Sequence, residues 1–323
     1  MDFIHLSVKK IISLCILLIL CSWSNTIKAT NINQSFSANN MPNNEKANPN
    51  LKEQFVEVEN LNLHYVETGK GKSVVLIHGN AGSIQDFEFG TFDHLADNYR
   101  TIAFDLPGHG SSKRKEKIMT IESQAAILHQ ALDQIGVKSP VLVGHSWGGA
   151  VALAYALLYP NDIGKLVLLA PAAYPDADSK SRIATLLNIP ILGDLSLAIV
   201  KPLISSKVLK HELEEAFYPD KVPQDYFKLA KDEWLDREQI KNYINDEKEL
   251  NHSLQKLCGK YSSLKVPTII VTGDSDRTVS PEQNAFRLHK TMQNSKLIVL
   301  RQTGHQIPET HPEAVLQAIK MID

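Results

Sequence analysis

From Phe55 onward, short continuous apolar runs alternate with segments whose apolar residues recur at helical spacing. Ser73–Ile77, Thr101–Phe104, Pro140–Val143, Leu166–Leu169, Thr268–Val271 and Leu297–Leu300 have strand length and no polar face. Such runs belong to strands covered on both sides. Between them, Ile121, Ala125, Leu128, Leu132 and Ile135 share one helical face, and Gly136 ends that helix. Ala150 to Leu158 is apolar all round, which predicts a buried helix, and further helices are predicted from Pro281 and Pro312. The pattern predicts an α/β fold: a mostly parallel central sheet with helices on both faces. Ligands of such sheets sit beyond the carboxyl ends of the strands. His78-Gly79, Ser146, Asp276 and His305 all follow strands and are therefore where chemistry is expected.

The alternation breaks over residues 175–262, which are mostly helix-forming. Phe227, Ala230 and Trp234 share a face, as do Ile240 with Tyr243 or Ile244, and later Leu250, Leu254 and Leu257. A helical insertion between two strands of one sheet must lie over the strand ends. Residues 175–262 are thus expected to form a helical cap insertion, and 51–174 with 263–323 the core. Ile183 to Ile204, rich in Leu, Ile and Ala and broken by Pro190 and Pro202, is read either as lining for an apolar acyl group or as surface that the cap buries on the core.

The first fifty residues read differently. Lys9 and Lys10 precede an apolar run from Ile11 to Leu20, followed by Ser22 and Ser24. This is the pattern of a secretory signal over residues 1–24, and the run is shorter than the roughly 20 residues that span a bilayer. Export to the periplasm or the extracellular space is expected, with an uncleaved N-terminal membrane anchor as the alternative. Residues 25–50 contain nine Asn and few large apolar side chains, so they are read as a flexible Asn-rich spacer. Once the signal is removed, Cys258 is the single cysteine left, so no internal disulfide is expected.

Composition narrows the function class. Hydrophobic residues at 43% and charged residues at 22% are ordinary globular figures. A net charge of −2 without a basic block argues against a nucleic-acid partner. No Cys or His spacing suits zinc, and no metal or cofactor is expected. Oligomeric state is not legible.

The strongest chemical signal is Gly144-His145-Ser146-Trp147-Gly148, directly after one strand and before a helix. A serine on a sharp strand-to-helix turn projects its hydroxyl above the sheet, and close approach across the turn demands glycine on both sides. A hydroxyl needs a base, itself oriented by a third group. His289 lies inside a predicted helix and His311 at a helix start, whereas His305 follows a strand and Gly304, so His305 is the expected base. Asp274 and Asp276 both follow the strand at 268–271. Asp276, deeper in the loop, is the expected acid, with Asp274 capping the loop. An oxyanion hole is expected from the main-chain amide of Trp147 and one from the loop after the first strand, assigned to Asn80 with Ala81 as the neighbour that could replace it.

In this order the motifs resemble the α/β-hydrolase superfamily over residues 51–323. His78-Gly79 is similar to its oxyanion loop, Phe104 to Ser112 to the loop after the next strand, Gly144 to Gly149 to its nucleophile elbow, and Gly304-His305 to its histidine turn. Asn80 and Trp147 also resemble haloalkane dehalogenases. Those enzymes and the epoxide hydrolases require a carboxylate nucleophile, whereas Ser146 stands here. The resemblance therefore implies acyl-enzyme chemistry on a small-molecule substrate, with a carboxylic ester bearing an apolar acyl group as the leading expectation. A carbon–carbon bond hydrolase of ring-cleavage products and an iminopeptidase-like amide hydrolase are the alternatives.

Overall fold

The computed structural model describes residues 51–88, 90–114, 119–176, 206–234 and 236–323. The expected signal, the spacer and the stretch from Ile183 to Ile204 lie outside these residues, as does the first part of the cap.

Eight strands form one sheet: β1 (Lys52–Val58), β2 (Leu61–Thr68), β3 (Ser73–Ile77), β4 (Arg100–Phe104), β5 (Val141–His145), β6 (Lys165–Leu169), β7 (Thr268–Gly273) and β8 (Ser295–Leu300). Their order is β1-β2-β4-β3-β5-β6-β7-β8. From β4 to β8 every pairing is parallel, while β1, β2 and β4 pair antiparallel. The last six strands fall on the six apolar runs. Side chains alternate between the two faces. Val75, Ile77, Leu142, Leu166, Leu168 and Ile270 enter one core cluster, whereas Val74, Leu76, Val143, Val167, Ile269 and Val271 enter the other. Burial on both faces is why the middles of these strands are almost entirely apolar, with Thr101, Thr268 and Thr272 as buried polar exceptions.

Helices α1 (Thr91–Ala96), α2 (Ile121–Gln134), α3 (Trp147–Leu158), α4 (Ser206–Phe217), α5 (Gln224–Trp234), α6 (Arg237–Leu257), α7 (Arg287–Thr291), α8 (Ile307–Thr310) and α9 (Pro312–Ile322) follow. Helices α2 and α3 cover one face of the sheet, and α1 with α9 the other. Thr120 caps α2 by accepting the Ser123 amide, and Gly136 leaves the helix at a φ of 72°.

Two features depart from the sequence reading. The β1–β2 hairpin was not expected; it turns on Glu59 and Asn60 at φ 53° and 64°, the left-handed pair that matches strand twist. The segment after Pro281 begins as a π-turn over Glu282–Phe286 before it becomes α7. There Asn284 uses its side-chain oxygen to accept the amides of Ala173 and Tyr174.

Helices α4, α5 and α6 stand between β6 and β7 as the cap. Leu209, Leu213, Phe217, Tyr226 and Ala230 form its own small apolar cluster. Leu254 and Leu257 of α6 join the main core. A buried polar contact also fixes α6. Asp246, with no exposed surface, takes Arg114 Nη1 at 2.6 Å and His109 Nε2 at 3.0 Å. Asn242 donates to Gly108 O at 2.7 Å. Among the described residues no helix is long and apolar enough to cross a membrane.

Candidate active site

Strand β5 runs straight into α3, and Ser146 takes the whole turn at φ 53° and ψ −115°, a region that L-residues rarely occupy. The turn is held on both sides. Ser146 N donates to Leu169 O at 2.9 Å, and Ser146 O accepts the amides of Gly149 and Ala172 at 3.0 Å each. A Cβ on Gly144 would strike the carbonyl of Gly148, and one on Gly148 the carbonyls of Ile77 and His78. Only hydrogen at both positions permits this packing.

His305 follows β8. Its Nδ1 donates to Asp276 Oδ2 at 2.8 Å, and the Asp276 side chain has no exposed surface. The other carboxylate oxygen, Oδ1, accepts the amides of Thr278 and Val279 at 2.8 and 2.9 Å. Filled in this way, Asp276 cannot swing away from the imidazole. Asp274 is turned elsewhere: its Oδ1 accepts Gln302 N at 2.7 Å and Ser275 Oγ at 2.8 Å. His289 meets Ser295 Oγ at 2.9 Å, and His311 bridges Thr310 and Thr303.

The main chain of His305 is held from two directions. His145 Nε2 donates to His305 O at 3.0 Å, and His305 N donates to Ala216 O of the cap at 2.9 Å. A Cβ on Gly304 would run into the carbonyl of Tyr218, so this turn passes beneath the cap only as glycine. The rings of His145 and His305 lie 4.8 Å apart, which places the imidazole of His305 beside the elbow.

Ser146, Trp147 and Asn80 share the wall of one cavity of about 480 Å³. The Trp147 indole itself is buried and donates to Gln124 Oε1 at 3.2 Å. Tyr174, Leu250, Leu254 and Val279 give part of the wall an apolar character. Facing them are the carboxylates Asp176, Glu212, Glu215 and Glu247, with Arg277 as a counter-charge that contacts Glu215 at 3.4 Å. The described wall is therefore of mixed character, apolar on some side chains and acidic on others. Among the described residues no group of three His, Cys, Asp or Glu could hold a metal ion.

Sequence reasoning missed the residues that hold these parts. His78 Nδ1 donates to Gly79 O at 2.7 Å while Nε2 accepts Leu106 N at 2.9 Å, a pattern that only the neutral ring satisfies. Burial, reinforced by nearby His109, pushes its pKa down to about 4. His145 is likewise held well below the usual histidine range by burial and by His305. Both sit inside the motifs and could have been singled out there. Glu247, which accepts Asn80 Nδ2 at 2.9 Å, lies in the long helical stretch with nothing to mark it.

A parallel sheet with a strained serine elbow, and a buried imidazole–carboxylate pair beside it, defines a hydrolase of the α/β class. Residues 72–189 match the family model of the α/β hydrolase fold. The uncharacterized hydrolase YugF of Bacillus subtilis (strain 168) is 31% identical over 261 residues, covering 79% of this chain and 91% of the relative. The chain belongs to the α/β-hydrolase family. It is also similar to 2-hydroxy-6-oxo-6-phenylhexa-2,4-dienoate hydrolase of Burkholderia cepacia, at 26% identity over 80% of this chain and 89% of that one. Lipase 1 of Psychrobacter immobilis is 28% identical, over 75% and 74% of the respective lengths.

Proposed function

We propose that this chain is a serine hydrolase that cleaves carboxylic esters through an acyl-enzyme. The observation that carries the reading is the 2.8 Å contact of His305 with Asp276, buried beside a serine held at φ 53°. Ser146 Oγ attacks the carbonyl carbon while its proton passes to His305 Nε2. Asp276 keeps Nδ1 protonated and stabilises the imidazolium, and the two amides on its Oδ1 hold the carboxylate in place. The oxyanion meets the main-chain amides of Trp147, at a helix N-terminus, and of Asn80. Asn80 is favoured over Ala81 because the Ala81 amide already donates to Asn80 Oδ1 at 3.0 Å. His305 then protonates the departing alkoxide, and water repeats the sequence to release the acid.

The acyl group is assigned to the apolar wall formed by Tyr174, Leu250, Leu254 and Val279. Carbon–carbon hydrolysis is the second reading, favoured by the likeness to the Burkholderia cepacia enzyme. A dienoate substrate carries a carboxylate, however, and among the described residues Asp176, Glu212 and Glu215 on the wall outweigh Arg277, which disfavours an anion there. A panel of nitrophenyl esters graded by acyl length, run beside a dienoate ring-cleavage product, tests the choice. Ester turnover that disappears in Ser146→Ala supports the proposal. Loss of the dienoate chromophore without ester turnover selects the second reading.

Residues 175–262 are assigned to the cap, and the N-terminal pattern after Lys9 and Lys10 supports export. N-terminal sequencing of the chain recovered from the cell envelope or medium tests this: a mature chain beginning near residue 25 agrees, and an intact Met1 contradicts it.

A further inference from the structure

We propose that Glu247 is a positioning residue of the oxyanion loop: a carboxyl on the cap holds the Asn80 side chain, so that the neighbouring main-chain amide is aimed at the reacting carbonyl. The inference rests on the acyl-enzyme reading and extends it to the cap. Both ends of the Asn80 amide group are occupied, Nδ2 by Glu247 Oε1 at 2.9 Å and Oδ1 by Ala81 N at 3.0 Å. Ala81 itself adopts a left-handed φ of 58°, so the loop is bent where the side chain ties it back. The loop also lies against the nucleophile, since a Cβ built on Gly79 would stand 3.4 Å from Ser146 Cβ.

An anchor of this kind works only if its own base is fixed. Residue 246, next to Glu247 on α6, is the buried aspartate clamped by Arg114 and His109 of the core. The helix therefore cannot rotate without breaking a charged contact in the interior. Glu247 is thus presented to Asn80 from a rigid element, which is the requirement for holding a catalytic group to within a fraction of an ångström. Burial raises the Glu247 pKa, with the Asn80 bond opposing and Asp246 adding to the shift. The bond to Asn80 is available in either charge state, because the accepting oxygen can be a carbonyl as well as a carboxylate.

A contact that aims an oxyanion donor acts on the transition state and not on ground-state binding. Glu247→Ala is expected to lower kcat by roughly tenfold to a hundredfold with KM changed less than about threefold, less than the roughly 10²–10³ lost when an oxyanion donor is removed outright, because the amide itself remains. Glu247→Gln keeps an acceptor oxygen and should retain kcat within about threefold. In a double-mutant cycle, Glu247→Ala should add nothing once Asn80 is alanine. Wild-type kcat in Glu247→Ala, equal losses in the Gln and Ala variants, or additive losses with Asn80→Ala would each overturn the proposal. If Glu247→Ala does not fold, the Gln variant and Asn80→Ala alone still decide, because a kcat loss confined to KM-neutral Asn80→Ala is required. Labelling of wild-type Ser146 by a fluorophosphonate separates the two levels: without it the acyl-enzyme reading itself fails, and with it only the role of Glu247 is at stake.

Discussion

His145 and His305 are joined by a hydrogen bond from the Nε2 of one to the carbonyl oxygen of the other, at 3.0 Å across 160 positions of chain. The residue before the proposed nucleophile thereby holds the turn that carries the proposed base. Replacing it leaves the side chains of the proposed triad in place but releases that turn. His145→Ala is expected to lower kcat about tenfold, or ~1.4 kcal/mol of barrier, with little change in KM. Because His145 stays neutral throughout the working range, the loss should be the same at every pH from 6 to 9. Steady-state kinetics across that range checks both points.

The two aspartates after β7 separate orientation from loop structure. Asp276→Asn should remove thousands of times the activity, on the order of 10⁴ for a triad that loses its anion. Asp274→Ala should stay within a few-fold of wild type and lose about 1 kcal/mol of stability through the loss of its bond to Gln302 N. Activity and urea denaturation of the two variants, measured together, test the assignment.

Under the cap lies a set of carboxyl groups that favour their protonated forms. Asp86 accepts Tyr226 OH at 3.0 Å, and Ser83 Oγ donates to Glu233 at 3.0 Å. Burial, with Asp86 as the next contributor at Glu233, raises these pKa values to about 7 and about 8. Glu309, fully buried nearby, is raised well above the ordinary value as well. A raised carboxyl pKa means that folding favours the proton. The stabilisation is complete below the unfolded value near 4 and is lost as pH climbs through 7 to 8. Thermal melts should therefore show Tm falling between pH 5 and 9, and Glu233→Gln should flatten that slope. An unchanged slope in the variant contradicts the account.

Asp246 tests the docking of α6. Asp246→Ala leaves the buried Arg114 guanidinium without its carboxylate and should cost about 3–5 kcal/mol. Asp246→Leu paired with Arg114→Met should recover part of this, because an apolar pair needs no desolvation. Chemical denaturation of the three proteins measures the difference.

Much of the fold is legible because burial on both faces leaves a mark: β3, β5, β6 and β7 each carry an unbroken run of at least three buried apolar residues, and runs of that kind have few other readings. The hairpin escapes notice for the opposite reason. Lys52, Glu53 and Glu57 face solvent on β1, and the turn at Glu59-Asn60 lacks the glycine that usually announces such a geometry. The elbow is visible because strain demands glycine at fixed spacing. The choice between Asp274 and Asp276 rests on which carboxylate the loop aims at His305, and chain position alone supplies only a lean toward the deeper one. Glu247 leaves no mark, since its meaning depends on Asn80, 167 residues away and in contact only after the cap has docked.

The central claim is that Ser146 forms a covalent acyl intermediate with help from His305. Intact-mass spectrometry during turnover of a slowly hydrolysed nitrophenyl ester, followed by peptide mapping, examines it directly. The account predicts one acyl group added per chain, carried by the peptide containing Ser146, absent from Ser146→Ala and slow to form in His305→Ala. Turnover of the ester with no adduct at Ser146, or an adduct on another residue in Ser146→Ala, would contradict it.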